Sequence, residues 1–571
     1  MTPLIRYLSA AVLVLSACSG SKKAVLPLEI NAYEYKIEKK VQCTNGAVVS
    51  AHPLASEVGL GILKQGGNAI DAAIATQLAL AVVYPGAGNI GGGGFMVARL
   101  ANGKNITLDY REKASHNATR DMYLDSLGNA QTSLSQSGHL AVGVPGTVAG
   151  LFASHKYAKL YFASLIQPAI ELAEKGFVIT PAEASGLNNS QEDFLKYNTV
   201  IPVFVNPQKW EGGDTLIQKD LANTLKRIRD GGQKGFYEGE TARLIVEEMM
   251  RGKGIIDYRD LKSYSAKRRE PVVFDYKGYQ IITMPLPSSG GILLPQMMNM
   301  IEDRDVKQYG FLHWQSVQLM TEIERRAYAD RAKYLGDADC YKVPVKKLIS
   351  KEYAKERMKD YRDDKAGSSQ DIQAGMIAES DETTHLSVYD KEGNAVAVTT
   401  TLNGGYGSST VVAGAGFLLN NEMDDFSVKP GVPNMYGALG ADANAIAPGK
   451  RMLSSMTPTI VLRNNKPYVV VGTPGGTTIP TSVFQTLINI LDFNLSPVDA
   501  VNKPKFHHQW LPDEIRLEKD FPNDVRQKLE QLGYKINQRD HIGRTELIVI
   551  SADGKIQAVA DKRGDDHAAG Y

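Results

Sequence analysis

The chain has 571 residues, and 64 lysines and arginines balance 63 aspartates and glutamates to a net charge of +1. Its hydrophobic fraction of 43% and charged fraction of 22% are those of a globular protein, which excludes wholesale disorder. The even charge gives no basis for a nucleic-acid partner, because phosphate binding needs clustered excess lysine and arginine. Length alone allows two to four domains or one large α/β unit.

The N-terminus predicts export. Arg6 precedes an apolar stretch from Tyr7 to Leu15 that ends in small residues, which is typical of a secretory signal and too short to span a bilayer. The tail Leu15-Ser16-Ala17-Cys18 resembles the lipobox of bacterial lipoproteins, in which cleavage precedes an acylated cysteine. We therefore expect a signal peptide over 1–17. An ordinary signal peptide with an incidental cysteine is the alternative.

The predicted location is the bacterial periplasm, with Cys18 carrying a lipid anchor that is the chain's only membrane contact. Ser19 after that cysteine favours the outer membrane, and 18–44 forms the tether and entry segment. Cys43 and Cys340 could pair in an oxidising compartment, but two distant cysteines are weak support for a disulfide. The sequence has no cysteine-rich or Cys/His framework for a metal.

The first regular elements surround a glycine-rich loop. Apolar periodicity predicts helix from Pro53 to Val83, broken at Gly66-Gly67, and a strand from Phe95 to Leu100. The loop between them, Gly86–Gly94, could cradle phosphate, but it lacks the Lys-Ser/Thr of a Walker loop. Close backbone packing is the favoured interpretation.

The stretch 360–382 is polar and aperiodic, and we interpret it as an exposed linker. After it the sequence pattern changes to one of short strands. The pattern predicts a helix over 314–334, a hairpin from 384–390 and 395–402, strands at 459–462 and 468–471, a helix over 524–532 and a hairpin over 545–560. The principal boundary is therefore expected between Glu382 and Thr383.

Thr383 stands at the first position of a strand directly after that linker. A threonine hydroxyl is a poor nucleophile without an adjacent base. Cleavage before Thr383 would supply the base as its own α-amine, which is the N-terminal-threonine form of nucleophilic catalysis. From position alone, a structural β-strand threonine is the more common case.

Several motifs add to this position. They are Thr383-Thr-His-Leu-Ser-Val388, Gly393-Asn-Ala-Val-Ala-Val-Thr-Thr-Thr-Leu-Asn403, Asn420-Asn-Glu-Met-Asp-Asp-Phe426, Arg451-Met-Leu-Ser-Ser-Met456, Gly472-Thr-Pro-Gly-Gly476, Asp109-Tyr-Arg-Glu112 and Ala569-Gly-Tyr571. In order and spacing the chain resembles the γ-glutamyltransferase (glutathione hydrolase) family of the N-terminal nucleophile hydrolases, over roughly 45–571.

The resemblance implies an α/β (α+β) fold, a four-layer αββα sandwich. Autocatalytic cleavage would divide it into a large subunit, 45–382 behind its tether, and a small catalytic subunit, 383–571. The two would stay together as a heterodimer. Glutathione and other γ-glutamyl compounds would be donors, and water, amino acids or dipeptides would be acceptors. No cofactor or metal is implied.

The resemblance also implies roles for single residues. Thr383 would be the nucleophile, Thr401 its hydrogen-bond partner, and the N–H groups of Gly475 and Gly476 the oxyanion hole. The substrate α-carboxylate would bind Arg111, Ser454 and Ser455, and the α-ammonium Asn403, Glu422 and Asp425. Tyr436 would cover the acyl site within a lid over 430–441.

Two alternatives stay open at this point. An acylase of the same superfamily could use the same nucleophile on other amides. A catalytically inert lipoprotein could keep the fold as a binding module. Read singly, Arg111 could be a surface ion pair and Asp424-Asp425 a solvated turn.

Overall fold

The computed structural model of the chain describes residues 22–23, 26–372, 383–429, 432, 434–435 and 440–571. Its strands are β1 Lys40–Cys43, β2 Ala47–Ser50, β3 Gly93–Arg99, β4 Asn105–Asp109, β5 Phe177–Val178, β6 Thr215–Leu216, β7 Lys267–Arg269, β8 Val272–Tyr276, β9 Tyr279–Thr283, β10 Thr384–Tyr389, β11 Ala395–Thr401, β12 Thr459–Arg463, β13 Lys466–Gly472, β14 Phe506–His507, β15 Ile515–Glu518, β16 Ile536–Arg539, β17 Glu546–Ile550, β18 Ile556–Val559 and β19 His567–Gly570.

The helices are α1 Pro53–Lys64, α2 Ala69–Val83, α3 Ser133–Gln136, α4 Thr147–His155, α5 Phe162–Lys175, α6 Pro181–Asn189, α7 Gln191–Tyr197, α8 Lys219–Gly231, α9 Lys234–Tyr237, α10 Gly239–Gly252, α11 Tyr258–Ser263, α12 Gly290–Glu302, α13 Trp314–Tyr334, α14 Val345–Leu348, α15 Lys351–Arg357, α16 Thr478–Leu491, α17 Pro497–Asn502 and α18 Asn523–Gln531. None of these described helices is long and apolar enough to cross a bilayer.

Two seven-stranded antiparallel sheets form the centre of the fold. The first has the strand order β19-β2-β10-β11-β3-β4-β7, and the second β1-β18-β17-β13-β12-β9-β8. Alternating side chains of the two inner faces meet in one apolar cluster, which includes Val49, Val97, Ile282, Val470 and Ile548. The sheets therefore pack face to face, as the period-2 alternation of their strands requires.

Helices cover the outer face of each sheet. The helices α1, α2, α4, α5 and α8 share one core with the outer side chains of the first sheet, such as Val388 and Val398. The helices α12, α13, α16 and α18 share another with the second sheet, through Val461 and Val471. The predicted four-layer αββα sandwich is confirmed.

The hairpin β10–β11 lies in the middle of the first sheet. Leu386 of β10 pairs with Ser50 of β2 on one side and with Val398 of β11 on the other. Strand β11 in turn pairs with β3, where Thr401 lies opposite Gly93. Thr383, immediately before β10, is therefore held at one end of the central strands rather than at a sheet edge.

The glycine loop packs closely, as expected. At Gly92 a Cβ atom would come within 2.1 Å of the Thr401 carbonyl oxygen, so a side chain there would displace β11. The helix expected over 53–83 is indeed two helices, α1 and α2. The second is closed at its start by a reciprocal capping box between Asn68 and Asp71.

One sequence interpretation needs correction, and a question that the sequence left open can be answered. The stretch 360–382 is not uniformly an exposed linker, because Ser369 and Ile372 are buried and their carbonyl oxygens accept from the Trp510 indole N–H. Its last part, 373–382, lies outside the described residues. Cys43 and Cys340 are both free thiols, the first buried and the second exposed, so the possible disulfide is absent.

Candidate active site

One pocket opens beside the start of β10. It is lined by Arg111, Arg331, Thr383, Thr401, Asn403, Glu422, Asp425, Asn434, Ser454, Ser455, Met456, Gly476, Thr477 and Ile479. Nine of the residues singled out in the sequence are in that set, and Gly475 precedes one of them. Glu382, Tyr436 and Cys18 lie outside the described residues, so their roles stay predictions.

The Thr383 hydroxyl lies 3.4 Å from the Thr401 hydroxyl. Thr401 Oγ1 also accepts the backbone N–H of Asn403 at 2.8 Å. Because that N–H occupies an acceptor position on Thr401, the Thr401 hydroxyl proton is well placed to be donated toward Thr383. Adjacent strands of the hairpin thus present two hydroxyl groups to one another.

The turn at Gly475 and Gly476 leads into α16. Their φ angles are +129° and +51°, which L side chains rarely adopt, so the turn depends on glycine. Neither N–H group donates to a described acceptor. The N-terminal end of α16 adds partial positive charge at the same place. The turn can therefore bind a developing oxyanion.

Arg111 follows β4 and is 1% exposed. Asp109 holds its backbone, accepting the Arg111 N–H at 2.9 Å. The guanidinium pairs with Glu422 through one terminal nitrogen and with Asp425 through the other. It lies 3.5 Å from Glu112, and it also donates to the Leu453 carbonyl oxygen at 3.1 Å.

Three carboxyl groups, two of them fully buried, surround one guanidinium. Burial raises the pKa of Glu112 to about 8 and the pKa values of Glu422 and Asp425 above their usual range, although Arg111 opposes each shift. Burial would lower the pKa of Arg111, but Glu422, Asp425 and Glu112 together raise it. A ligand with an ammonium group and a carboxylate would find a partner for each charge here, the carboxyl groups for the ammonium and Arg111 for the carboxylate.

The predicted carboxylate donors lie next to Arg111. Ser454 and Ser455 follow the Leu453 carbonyl that Arg111 contacts, and both line the pocket. The Ser454 hydroxyl accepts the Met456 N–H at 3.2 Å. Asn403, at a φ of +78°, donates through its amide to the Asn421 carbonyl oxygen at 3.0 Å.

The described part of the lid lies against the acidic side of the pocket. Asn434 donates to Asp425 at 3.1 Å, and the Met435 N–H donates to Asp424 at 2.5 Å. Burial raises the pKa of Asp424 to about 7, although this N–H and the Ser135 hydroxyl oppose the shift. Asp424 is therefore buried rather than a solvated turn residue.

Sequence analysis missed Arg331 of α13. Amphipathic periodicity predicts that the charged residues of a helix are exposed. The structure instead buries every residue of 316–332, including Glu324 and Arg331. Arg331 donates to the Ser289 hydroxyl at 3.3 Å and to the Ser455 hydroxyl at 3.2 Å. The length of α13 and its unusual density of charge were the available signals.

Comparison with known proteins agrees with this geometry. The family described as gamma-glutamyltranspeptidase matches residues 55–571. The chain is 45% identical to the glutathione hydrolase proenzyme of Escherichia coli (strain K12), over 99% of both chains. A crystal structure of cephalosporin acylase from Bacillus halodurans superposes with a TM-score of 0.82 at 28% identity, covering 96% of this chain and 99% of that one. The gamma-glutamyltranspeptidase of Helicobacter pylori gives 0.56 at 46% identity, covering 61% and 97%.

The sandwich and the threonine at the start of its central strand define an N-terminal nucleophile hydrolase. Within that class, the chain belongs to the gamma-glutamyltranspeptidase family.

Replacing Arg331 tests whether it positions Ser455. Arg331→Ala should raise KM for a γ-glutamyl donor about tenfold with a smaller change in kcat, since one charged hydrogen bond is worth about 1.5 kcal/mol. Arg331→Lys should restore part of the loss. If Arg331 acts through Ser455, combining Arg331→Ala with Ser455→Ala should add little to either single change in a double-mutant cycle. Fully additive effects would contradict this role.

The pKa of Asp424 makes stability depend on pH. An unfolded aspartate titrates near 3.8 and the folded group near 7, so its favourable contribution is complete below about pH 4 and is lost as pH rises through 7. Asp424→Asn should therefore gain in melting temperature relative to the parent between pH 5 and pH 8. The control Asp442→Asn, at a side chain 85% exposed, should show a constant difference. A constant difference for Asp424→Asn as well would refute the raised pKa.

Proposed function

We propose that the chain is a precursor that cleaves itself before Thr383 and then transfers γ-glutamyl groups from glutathione and related compounds to water, amino acids or dipeptides. The observation that carries this proposal is that Thr383 lines the same pocket as Arg111, Glu422 and Asp425. A nucleophile is thereby placed next to groups that suit both charged ends of an α-amino acid.

Maturation would use the same hydroxyl as turnover. Thr383 Oγ1 attacks the carbonyl carbon of Glu382, the peptide C–N bond breaks, and the acyl group moves to the oxygen as an ester. Water hydrolyses this ester, which frees the Thr383 amine and the Glu382 carboxylate. The products are the large subunit and the small catalytic subunit, 383–571. Because each of the two large sheets contains strands of both fragments, paired edge to edge, the fragments would remain associated as a heterodimer.

In turnover the free amine of Thr383 takes the hydroxyl proton as the oxygen attacks the γ-amide carbon. Thr401 aligns the hydroxyl, and the N–H groups of Gly475 and Gly476 stabilise the oxyanion. The amine then gives its proton to the departing amine, for instance cysteinylglycine. Water or an acceptor amine attacks the γ-glutamyl ester in the second half and regenerates Thr383.

Substrate selection would rest on exchange of ion pairs. The α-carboxylate of the donor takes the place of Asp425 or Glu422 on Arg111, with the hydroxyl groups of Ser454 and Ser455 beside it. The released carboxylates and Asn403 accept the α-ammonium group. The cephalosporin acylase likeness keeps other amides as the second candidate, but a donor without an ammonium group would leave the acidic side of this pocket unmatched.

We also propose export to the periplasm, with cleavage of 1–17 and acylation of Cys18. The order of charge, apolar core and lipobox in the sequence supports this step.

The nucleophile assignment can be tested on a denaturing gel and by turnover. Thr383→Ala removes the attacking oxygen, so it should give a single unprocessed band and no release of γ-linked glutamate, where the parent gives two bands. The neighbour Thr384 is a matched control, because its buried hydroxyl has no hydrogen-bond partner among the described residues. Thr384→Val should process and turn over normally. Normal turnover by Thr383→Ala would exclude Thr383 as the nucleophile.

The proposed recognition of two charges can be tested with matched p-nitroanilides. A γ-glutamyl donor carries both groups, a glutaryl donor lacks the ammonium, and a 4-aminobutyryl donor lacks the carboxylate. Arg111→Ala should chiefly raise KM and cost about 30-fold in kcat/KM for the first two, but little for the third. Asp425→Asn should penalise the two ammonium-bearing donors and spare the glutaryl donor. Equal losses on all three donors would remove both residues from these roles.

A further inference from the structure

The first described residues are fixed to the turn that follows α4. Lys22 Nζ donates to the His155 carbonyl oxygen at 2.7 Å. The Lys23 N–H donates to the Lys159 carbonyl oxygen at 3.2 Å, and Lys23 forms a parallel bridge with Leu160. The chain therefore emerges from the folded body at this turn.

Several lysines lie around the turn that follows α4. We call the surface formed by Lys22, Lys23, Lys104, Lys156 and Lys159 the basic face. Lys104 joins it by lying 5.7 Å above the ring of Tyr157. Lys159 is paired with Glu392. Within the described chain, the other four lysines make no ion pair with a carboxylate, so the face carries a local excess of positive charge.

Cys18 is four residues from Lys22, and an extended chain spans at most about 3.5 Å per residue. A lipid on Cys18 would therefore hold the Lys22 backbone within about 14 Å of the membrane surface. The headgroup layer is itself several ångströms thick. So short a tether brings the surface around Lys22 against the headgroups.

We propose that the basic face rests on the anionic phospholipid headgroups of the membrane that holds Cys18, with the catalytic pocket directed away from the bilayer. This proposal rests on the acylation proposed above. Lysines near an anionic bilayer each favour binding, and the effect falls off within a Debye length. The face has the sign of charge and the position that such a surface requires.

The orientation follows from the central hairpin. Its turn, 390–394, contacts the basic face through the Glu392–Lys159 pair, whereas Thr383 lies at the opposite end of β10. Seven residues at about 3.4 Å each separate these ends by roughly 24 Å. Helix α2 spans the same distance. At its start the Ala69 N–H donates to Asp390, and after its last residue the chain enters the glycine loop beside Thr401. Substrate would reach Thr383 from the aqueous side.

Fluorescence quenching by the membrane can test this in the acylated protein, reconstituted in phosphatidylethanolamine–phosphatidylglycerol vesicles with quencher-labelled headgroups. Exposed Cys340 provides a native probe near the pocket, because its neighbour Asp337 accepts the Arg451 N–H next to the Ser454 segment. The second probe is Ala101→Cys in a Cys340→Ser background, on the exposed turn before Lys104. Cys43 is buried and should not be labelled.

The Ala101→Cys probe should be quenched several-fold more strongly than the Cys340 probe. The triple change Lys23→Gln, Lys104→Gln and Lys156→Gln should lower the ratio of docked to undocked protein on the order of a hundredfold, as should phosphatidylcholine vesicles. Turnover should be unchanged in the triple variant, since no active-site group is altered. Equal quenching of the two probes, or stronger quenching at Cys340, would overturn the proposal.

Metabolic labelling with an alkyne fatty acid tests the acylation of Cys18 separately from the membrane contact of the basic face. Label that is lost in Cys18→Ala supports acylation, and unequal quenching of the two probes then supports the basic face. Acylated protein with equal quenching overturns the basic face alone. Absence of label overturns the anchor and, with it, this orientation.

Discussion

The site depends on one buried guanidinium that three carboxyl groups surround. Arg111 contacts Glu422 and Asp425 directly and lies close to Glu112. Buried charges are stable only when they are paired, and here the ion pairs hold the segment after β4 against the segment 422–425 at the wall of the pocket. In the proposed reaction, the α-carboxylate of the donor would displace one carboxyl group from Arg111, and its ammonium group would pair with the group displaced.

Thr383, the proposed nucleophile, is also held by rigid elements. Thr383 precedes a strand that is paired on both sides, so its position is set by the sheet and not by a loop. The proposed oxyanion donors come from a turn whose positive φ angles require glycine and which leads directly into α16. Groups on rigid elements can keep the short distances that acyl transfer needs without reorganising during the reaction.

Much of this could be predicted from the sequence, for identifiable reasons. The hairpin after Thr383 is short, alternating and bounded by a glycine turn, so period-2 patterning was sufficient. The charged residues of α13 were not predictable in this way, because periodicity counts a charge as exposed and cannot see the buried partners that compensate it. Ser369 and Ile372 were misplaced for a related reason. Their burial depends on Trp510, which is more than a hundred residues away in the chain.

The site roles themselves came from the motif resemblance, and the structure adds which of those residues share one pocket. Spacing alone could not place Arg111 beside Asp425, since 314 positions separate them in the chain. Contacts of such long range depend on the complete topology of two sheets.

The order of strands has a consequence for the two predicted fragments. The last strand, β19, pairs with β2 near the start of the chain, β1 pairs with β18, and the hairpin β10–β11 is inserted between β2 and β3. After a cut before Thr383, each fragment alone would expose strand edges in both sheets. Neither fragment could complete its sheets before binding the other. A chain cut before Thr383 would thus be an interlocked pair of fragments whose shared sheets form while the chain is intact. Separated fragments would not be expected to reassemble simply by binding.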